Sequence, residues 1–198
     1  MSSIVLASAS KIRSDILRCA GVPHTCEAST VDEDIIKNKS RTQGGDVETA
    51  AATLADAKAA DVGARYPDAL VIGADQILEC DGRWFDKPPD LDAAAETLRA
   101  LRGRRHRLIC AVSVYRGGAN VWRHLETPAL TMRDFSDGFL ERYLDGSGAG
   151  ILESVGAYRL EAAGAQLFSR IDGDYFAILG LPLLALLEFL RKVGAVEE

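Results

Sequence analysis

The sequence predicts a mixed α/β protein, because short apolar runs typical of buried strands alternate along the chain with amphipathic helical segments. Hydrophobic residues make up 47% of the 198 residues and charged residues 26%, a composition typical of a folded domain with a substantial core. No linker, repeat or low-complexity stretch interrupts this pattern. We therefore expect residues 1–198 to form a single domain, or two lobes around one cleft.

The first predicted elements are a strand and two helices. An apolar run at residues 4–7 predicts a buried strand, followed by a helix that Ser10 caps and Gly21 ends. The polar residues 23–34 contain an acidic cluster and favour a solvated turn. The alanine-rich residues 46–64 predict a long helix, because alanine has a high helix propensity and the apolar side chains share one face.

The central strand is predicted from the apolar residues 69–72. We expect this strand to end at Gly73 and to place Asp75 at the rim of a sheet, where the clefts of α/β proteins lie. A second strand-like run follows and ends in a turn at residues 81–82.

The second half of the chain alternates helices with strands. Helices are predicted over residues 90–101, after a capping Ser136, and over residues 182–194. The predicted strands are a hairpin of residues 108–115 and 120–127, a strand over 129–135, and a hairpin of residues 166–171 and 175–179. The predicted loops are a basic segment at 102–107, which contains His106, and a glycine-rich segment at 146–150.

Composition and charge narrow the functional classes. A net charge of −6 argues against non-specific duplex binding, so we expect no stable nucleic-acid partner. The apolar residues 178–190 are too few to span a bilayer, and no secretory signal is visible, so we expect no membrane partner and a cytoplasmic location. The cysteines lack metal-site spacing and are predicted to be buried free thiols, at positions Cys19, Cys26, Cys80 and Cys110.

The start of the first helix has the features of an anion site. A strand, a small hydroxyl loop and a helix N-terminus follow one another, with Lys11 and Arg13 in the first helical turn. Free backbone N–H groups and the helix dipole attract anions at such a position. A capped helix with solvated basic side chains explains the same residues equally well.

Acidic and basic residues on either side of the central strand suit magnesium and phosphate. Glu33 and Asp75 offer hard oxygen ligands, while the positive groups are Arg13, Lys58 and Lys87. Such a set supports metal-assisted attack of water on a phosphoanhydride. The chain contains no G-x-S-x-G elbow, zinc-site spacing or Walker A loop, which disfavours other common chemistries. From the residues alone, a solvated turn at Glu33 and a surface position for Lys58 remain open.

Eight motifs occur in an order that covers almost the whole chain: LASASKIRSDIL, VDE, LADAKA, VIGADQ, DKP, GRRHRL, ESVGAYRLE and GDYFAILGLPL. In these motifs the sequence resembles the Maf family of nucleoside triphosphate pyrophosphatases, also called septum-formation-inhibitor-like proteins. The resemblance implies an inosine-triphosphatase-like α/β fold with a mixed sheet, two lobes around a central cleft, and a homodimer. It also implies a reaction that splits a nucleoside triphosphate between the α and β phosphates with a divalent metal, Mg²⁺ or Mn²⁺.

The resemblance also implies roles for individual residues. Asp75 would activate water or hold the metal, with Glu33 as a companion acid. The positions that match the family's phosphate-handling and catalytic residues are Ser8, Arg13, Lys58 and Lys87. His106 matches a family position too, and we interpret it as a structural or subunit-contacting residue.

Three positions bear on the nucleobase. The thymidine and uridine triphosphate branch of the family usually has arginine, threonine and glutamine where this chain has Ile12, Gln76 and Glu161. Gln76 and Glu161 resemble the branch acting on 7-methylguanosine triphosphate, which typically has tryptophan at the position of Ile12. A carboxylate can accept hydrogen bonds from a guanine edge and favours a cationic methylated ring. We therefore expect a slight preference for guanine-type or modified nucleotides. Ser154 replaces a lysine common in relatives.

A regulatory role is the alternative function. The second name of the family suggests a nucleotide-binding protein that inhibits septum formation through a cell-division protein partner. A protein that only binds could lose Asp75 and Lys87 without penalty, yet both residues are present. Catalysis is therefore the favoured interpretation.

Overall fold

The computed structural model describes residues 3–197, which form two compact units. The first unit consists of the residues up to 76, residues 110–126 and the residues from 174 onward. The second unit consists of residues 77–109 and 127–173. Within the described part of the chain, no helix is both long and apolar enough to cross a membrane.

The first unit combines strands with helices. Its strands are β1 (Ile4–Leu6), β2 (Thr25–Cys26), the beginning of β3 (Leu70–Cys80), the end of β5 (Arg105–Arg116) and β6 (Ala119–Glu126). Its helices are α1 (Lys11–Cys19), α2 (Glu33–Thr42), α3 (Val47–Gly63), α6 (Tyr175–Ile178) and α7 (Leu183–Lys192). The apolar side chains of β1, β3, α1 and α7 form a buried cluster that includes Leu6, Ile72, Leu17 and Leu186.

The second unit contains the remaining elements. They are β4 (Arg83–Phe85), α4 (Leu91–Leu101), β7 (Ala129–Met132), α5 (Asp137–Ser147) and β8 (Phe168–Asp172), with short 3₁₀ helices at Gly148–Glu153 and Ala163–Leu167. Side chains cap its two α-helices, because Asp90 accepts from the Ala93 N–H and Ser136 from the Phe139 N–H.

The strands form one mixed sheet, which confirms the predicted α/β class. Their order is β2-β1-β3-β5-β7-β8, with β4 paired to β3 and β6 paired to β5. Strand β1 runs parallel to both β2 and β3, whereas the pairs β3–β4, β5–β6, β5–β7 and β7–β8 are antiparallel.

The expected end of the central strand at Gly73 is wrong. Strand β3 continues through Gly73 and Asp75 to Cys80, so Asp75 lies within the strand and not at its rim. Gly73 has a packing role, because a Cβ atom there would collide with the Ala55 carbonyl and lie 2.6 Å from the Ala59 nitrogen on α3. The glycine allows α3 to approach β3 closely.

The acidic cluster at the end of residues 23–34 begins a helix and is not a solvated turn. Asp32 caps α2 by accepting from the Asp34 and Ile35 N–H groups. Glu33 and Asp34 lie in the first turn, where negative charge favours the helix dipole.

The basic segment at 102–107 is also not a loop throughout. Strand β5 begins at Arg105, and His106 pairs with Leu130 of β7. Side chains alternate along this strand, so His106 and Leu108 are buried while Arg105 is exposed.

The hairpin predicted over residues 166–179 is wrong in its second strand. Residues 168–172 form β8 and pair with β7. Asp174 then accepts a hydrogen bond from the Ala177 N–H at 2.8 Å and starts helix α6 in place of a strand.

Two further sequence predictions need correction. The glycine-rich segment at 146–150 is largely helical, since α5 extends to Ser147 and a 3₁₀ helix follows. All four cysteines are free, but only Cys80 and Cys110 are buried, because Cys19 and Cys26 lie at the exposed ends of short elements.

Candidate active site

A buried lysine joins two carboxylates in the first unit. The Lys58 ammonium on α3 lies 2.7 Å from Asp75 Oδ1 on β3 and 2.7 Å from Glu33 Oε1 at the start of α2. Lys58 and Asp75 are 8% and 4% exposed. This burial overturns a surface position for Lys58. Three separate elements therefore bring these three predicted residues together.

Charge in this cluster is balanced by contact. Burial alone would raise the pKa of Glu33, but the nearby charges of Lys58, Lys37 and Arg13 hold the pKa of this carboxyl below its usual value. Lys37 also lies 3.9 Å from Glu33 Oε2, so positive side chains of the same unit already offset the carboxylate charges.

Asp75 has one oxygen that the fold does not use. Its Oδ2 atom is buried and has no hydrogen-bond partner within residues 3–197. A buried carboxylate oxygen without a partner is costly, and a bound ion or substrate group relieves that cost. No group of three or more His, Cys, Asp or Glu side chains in the described chain is arranged as a metal site. Two carboxylates still fit Mg²⁺, which commonly binds one or two protein carboxylates together with waters and phosphates.

Arg13 is tied to the backbone beside this cluster. Its Nε donates to the Gly180 carbonyl at 2.7 Å, and its Nη1 donates to the Ala74 carbonyl at 2.8 Å. The same Nη1 lies 3.4 Å from Ser8 Oγ. Arg13 thus connects α1 to the residue before Asp75 and to the turn after α6.

The loop after β1 is organised by Ser8 and not by Ser10. Ser10 precedes α1, but its side chain makes no capping hydrogen bond. Instead, Ser8 Oγ accepts from the Ser10 N–H at 3.1 Å, and Ser8 is 9% exposed. The loop of small hydroxyl residues predicted from the sequence is therefore present, and the hydroxyl group of Ser8 is its buried one.

Gln76 faces the opposite side of β3 from its neighbour Asp75. Its Nε2 donates to the carbonyls of Ala177 at 2.9 Å and Ile178 at 3.1 Å. Both amide hydrogens are therefore engaged with α6, and the side-chain carbonyl is the group left to accept from a ligand. Ile12 is partly buried against the apolar cluster of the first unit.

The other predicted residues belong to the second unit. Lys87 Nζ lies 3.7 Å from Glu153 Oε2, and both side chains are mostly exposed. Glu161 Oε1 accepts from Arg159 Nε at 2.9 Å. Sequence reasoning missed Glu153 and Arg159 as partners, although the motif ESVGAYRLE contains both.

His106 is buried within the second unit. It is 1% exposed, and its Nε2 lies 2.9 Å from the Tyr158 hydroxyl. Such burial fits the structural interpretation and not a subunit contact. Tyr158 was not singled out from the sequence, where a tyrosine between Ala157 and Arg159 carries no sign of a buried polar partner.

The fold and this cluster define the class: an α/β protein whose central strand holds a buried, lysine-paired carboxylate suited to metal and phosphate. The chain belongs to the Maf-like protein family, whose sequence profile matches residues 3–193.

Curated relatives resemble this chain over almost their full length. A protein from Granulibacter bethesdensis named nucleoside triphosphate pyrophosphatase is 50% identical over 193 residues, 98% of each chain. One of that name from Paramagnetospirillum magneticum is 50% identical over 96% of this chain and 98% of its own. A protein from Rhizobium meliloti named 7-methyl-GTP pyrophosphatase is 46% identical over 98% of both.

Proposed function

We propose that this chain is a nucleoside triphosphate pyrophosphatase. It hydrolyses the anhydride between the α and β phosphates and gives a nucleoside monophosphate and pyrophosphate. The observation that carries the proposal is the buried Lys58, which holds Asp75 and Glu33 at 2.7 Å and leaves Asp75 Oδ2 without a protein partner. The shared name of the relatives supports the same reaction.

A divalent metal, Mg²⁺ or Mn²⁺, is part of this proposal. Asp75 Oδ2 and the carboxylate of Glu33 would hold it, and a bound ion polarises the phosphate and lowers the pKa of water. The contribution of the chain is to hold both carboxylates in place. Lys58 helps to lower the pKa of Glu33 through its charge and holds Asp75 through a 2.7 Å hydrogen bond. Asp75 also orients the attacking water or accepts its proton.

Positive and hydroxyl groups would bind the triphosphate. Arg13 is fixed by two carbonyls and carries its charge beside Asp75, while Ser8 offers a buried hydroxyl. A cation held rigidly in this way stabilises developing negative charge without reorganisation. Lys87 keeps the phosphate-handling role that the family resemblance implies.

The base preference is proposed to lean slightly toward 7-methyl-GTP. Glu161 offers a carboxylate for a guanine edge or a cationic methylated ring, and Gln76 offers a carbonyl acceptor. The relative from Rhizobium meliloti named 7-methyl-GTP pyrophosphatase supports this choice. Ile12 provides no aromatic surface, so stacking at that position is not part of the proposal.

The homodimer and the cytoplasmic location remain predictions that rest on the family resemblance and the composition. A cell-division partner also remains a prediction, and the described residues offer no observation in its favour.

Pyrophosphate release from a panel of standard and methylated nucleoside triphosphates tests the catalytic proposal. With Mg²⁺ or Mn²⁺ the wild-type protein should release pyrophosphate, and chelator should abolish the release. Asp75→Asn should lower turnover by at least about 1,000-fold while nucleotide still binds, because the carboxylate charge at the reacting centre is removed.

Asp68→Asn is the matched control, since Asp68 is exposed and lies just before the same strand. It should retain full activity. Unchanged release by Asp75→Asn would remove Asp75 from the mechanism. Release of orthophosphate in place of pyrophosphate would contradict cleavage between the α and β phosphates.

A further inference from the structure

The segment 154–161 of the second unit is held in an unusual conformation. Ala157 has a φ of +56°, a left-handed conformation that residues with a side chain rarely adopt. Tyr143 donates its hydroxyl to the Ala157 carbonyl at 3.3 Å. A Cβ atom at Gly156 would collide with the ring of Tyr158. Local strain of this kind persists only where the surroundings fix the chain, and it concentrates at functional sites.

A buried hydrogen bond between Tyr158 of this segment and His106 of β5 anchors the segment to the sheet. Tyr158 is 4% exposed, and its hydroxyl lies 2.9 Å from Nε2 of His106 on β5. The rings of both residues pack on Phe168, at centroid distances of 4.8 Å from Tyr158 and 5.9 Å from His106. Tyr158 precedes Arg159, the residue that holds Glu161. The position of the Glu161 carboxylate therefore depends on where Tyr158 is anchored.

The hydrogen bonding of this pair is incomplete. Nδ1 of His106 is buried without a partner among the described residues. Burial lowers the pKa of His106 to about 4 and raises that of Tyr158, so both groups are neutral at pH 7. A neutral imidazole has one N–H donor and a phenol has one O–H donor, and a single hydrogen bond between them uses only one of these two donors. Either tautomer thus leaves an unsatisfied group.

Such a pair is a poor way to gain stability. Replacing both partners of a buried hydrogen bond with apolar groups of similar shape is often neutral or stabilising, whereas an unsatisfied buried group is costly. A leucine and a phenylalanine would fill this space without an unsatisfied nitrogen. The polar pair therefore needs an explanation other than core stability, and the geometry of the segment that it anchors provides one.

We propose that His106 and Tyr158 are positioning residues for base recognition. Their hydrogen bond fixes the position of the 154–161 segment and so directs the Glu161 carboxylate toward the edge of a guanine-type base. This inference rests on the proposed function. Neither residue contacts the reacting phosphates in this account, so their removal affects the choice of base and not the chemical step.

Equilibrium binding of non-hydrolysable analogues of 7-methyl-GTP and UTP, in the presence of Mg²⁺, tests the inference without relying on turnover. The double variant His106→Leu/Tyr158→Phe should unfold at a urea concentration no lower than wild type. Its preference for the methylated guanine analogue over the uridine analogue should fall roughly 10-fold, the equivalent of one misplaced hydrogen bond. A purely structural pair would give lower stability and unchanged preference.

A conservative variant and a core variant complete the experiment. His106→Gln can place an amide near the former Nε2 and should restore much of the preference. Ile109→Val, a fully buried change three residues along the same strand, should lose stability and keep the preference. Preference retained in the double variant, or absent already in wild type, overturns the inference. Failure of wild type to release pyrophosphate would overturn the proposed function separately.

Discussion

Lys58 is the residue on which the electrostatics of the candidate site depend. Its ammonium is almost fully buried and lies within 2.7 Å of two carboxylates. Helical periodicity does not distinguish this lysine from a surface one, because it sits near the edge of the apolar face. Its partner Asp75 comes from a strand 17 residues further along the chain. The pairing therefore follows from tertiary packing, and only the family resemblance indicated it from the sequence.

Lys58→Met should remove both activity and stability. The methionine fills the space, but it leaves Asp75 buried without its charge partner, and breaking a buried pair in this way costs about 3–5 kcal/mol. Urea denaturation measures the loss, and pyrophosphate release measures the activity. Lys39→Met is the control, because Lys39 is exposed on α2.

Adding Asp75→Asn to Lys58→Met should recover part of the lost stability, because no unpaired buried charge then remains at these two positions. Strictly additive losses in the double variant would mean that the two side chains are not coupled.

At the scale of elements, α3 and β3 place the site residues through one close contact. Lys58 and Asp75 face each other because Gly73 lets the helix approach the strand where any Cβ atom would meet the Ala55 and Ala59 backbone. Gly73 stood out in the sequence for a structural reason, but a glycine after an apolar run can mark either the end of a strand or a close approach of another backbone. Local pattern alone does not separate the two.

Gly73→Ala should destabilise the protein by about 1–3 kcal/mol through overpacking, and it should reduce activity by shifting α3 against β3. Chemical denaturation provides the measurement. Gly146→Ala is the control: Gly146 lies within α5, and a Cβ atom there meets nothing within 4 Å. That change should be neutral or stabilising, since alanine favours a helix over glycine by up to about 1 kcal/mol. Equal effects at both positions would argue against the packing role of Gly73.

The length and periodicity of the apolar pattern explain which elements were predicted correctly from the sequence. Helix α3 and the β5–β6 hairpin were confirmed, because their patterns are long and periodic. The acidic start of α2 and the short helix α6 were missed. Helix α2 has no buried residue, and α6 spans a single turn, so neither has an apolar stripe to detect. In both, a capping aspartate was the available signal, and it was interpreted as part of a turn.

At the scale of the whole molecule, stability should depend on pH through two groups with separate windows. The lowered pKa of His106 means that the unfolded chain takes up a proton near pH 6.5, while the folded chain does so only near pH 4. The stability linked to His106 is therefore complete above pH 6.5 and declines as the pH falls toward 4. The lowered pKa of Glu33 acts at a lower pH. Its contribution is present above its ordinary pKa of 4.5 and is lost below that value.

Urea denaturation between pH 7.5 and 4.5, in wild type and in His106→Leu/Tyr158→Phe, measures the His106 window by itself, because the Glu33 contribution is lost only below this range. Since one pKa unit corresponds to about 1.4 kcal/mol, wild type should lose on the order of 3 kcal/mol more than the double variant across this range. His24 and His124 are present in both proteins, so the difference isolates the buried imidazole. Parallel pH profiles would mean that the folded protein protonates His106 at the same pH as the unfolded chain, and they would contradict the lowered pKa of the buried imidazole. A steeper decline in wild type alone would show that the buried pair reduces acid stability, a property that selection for stability alone would not favour.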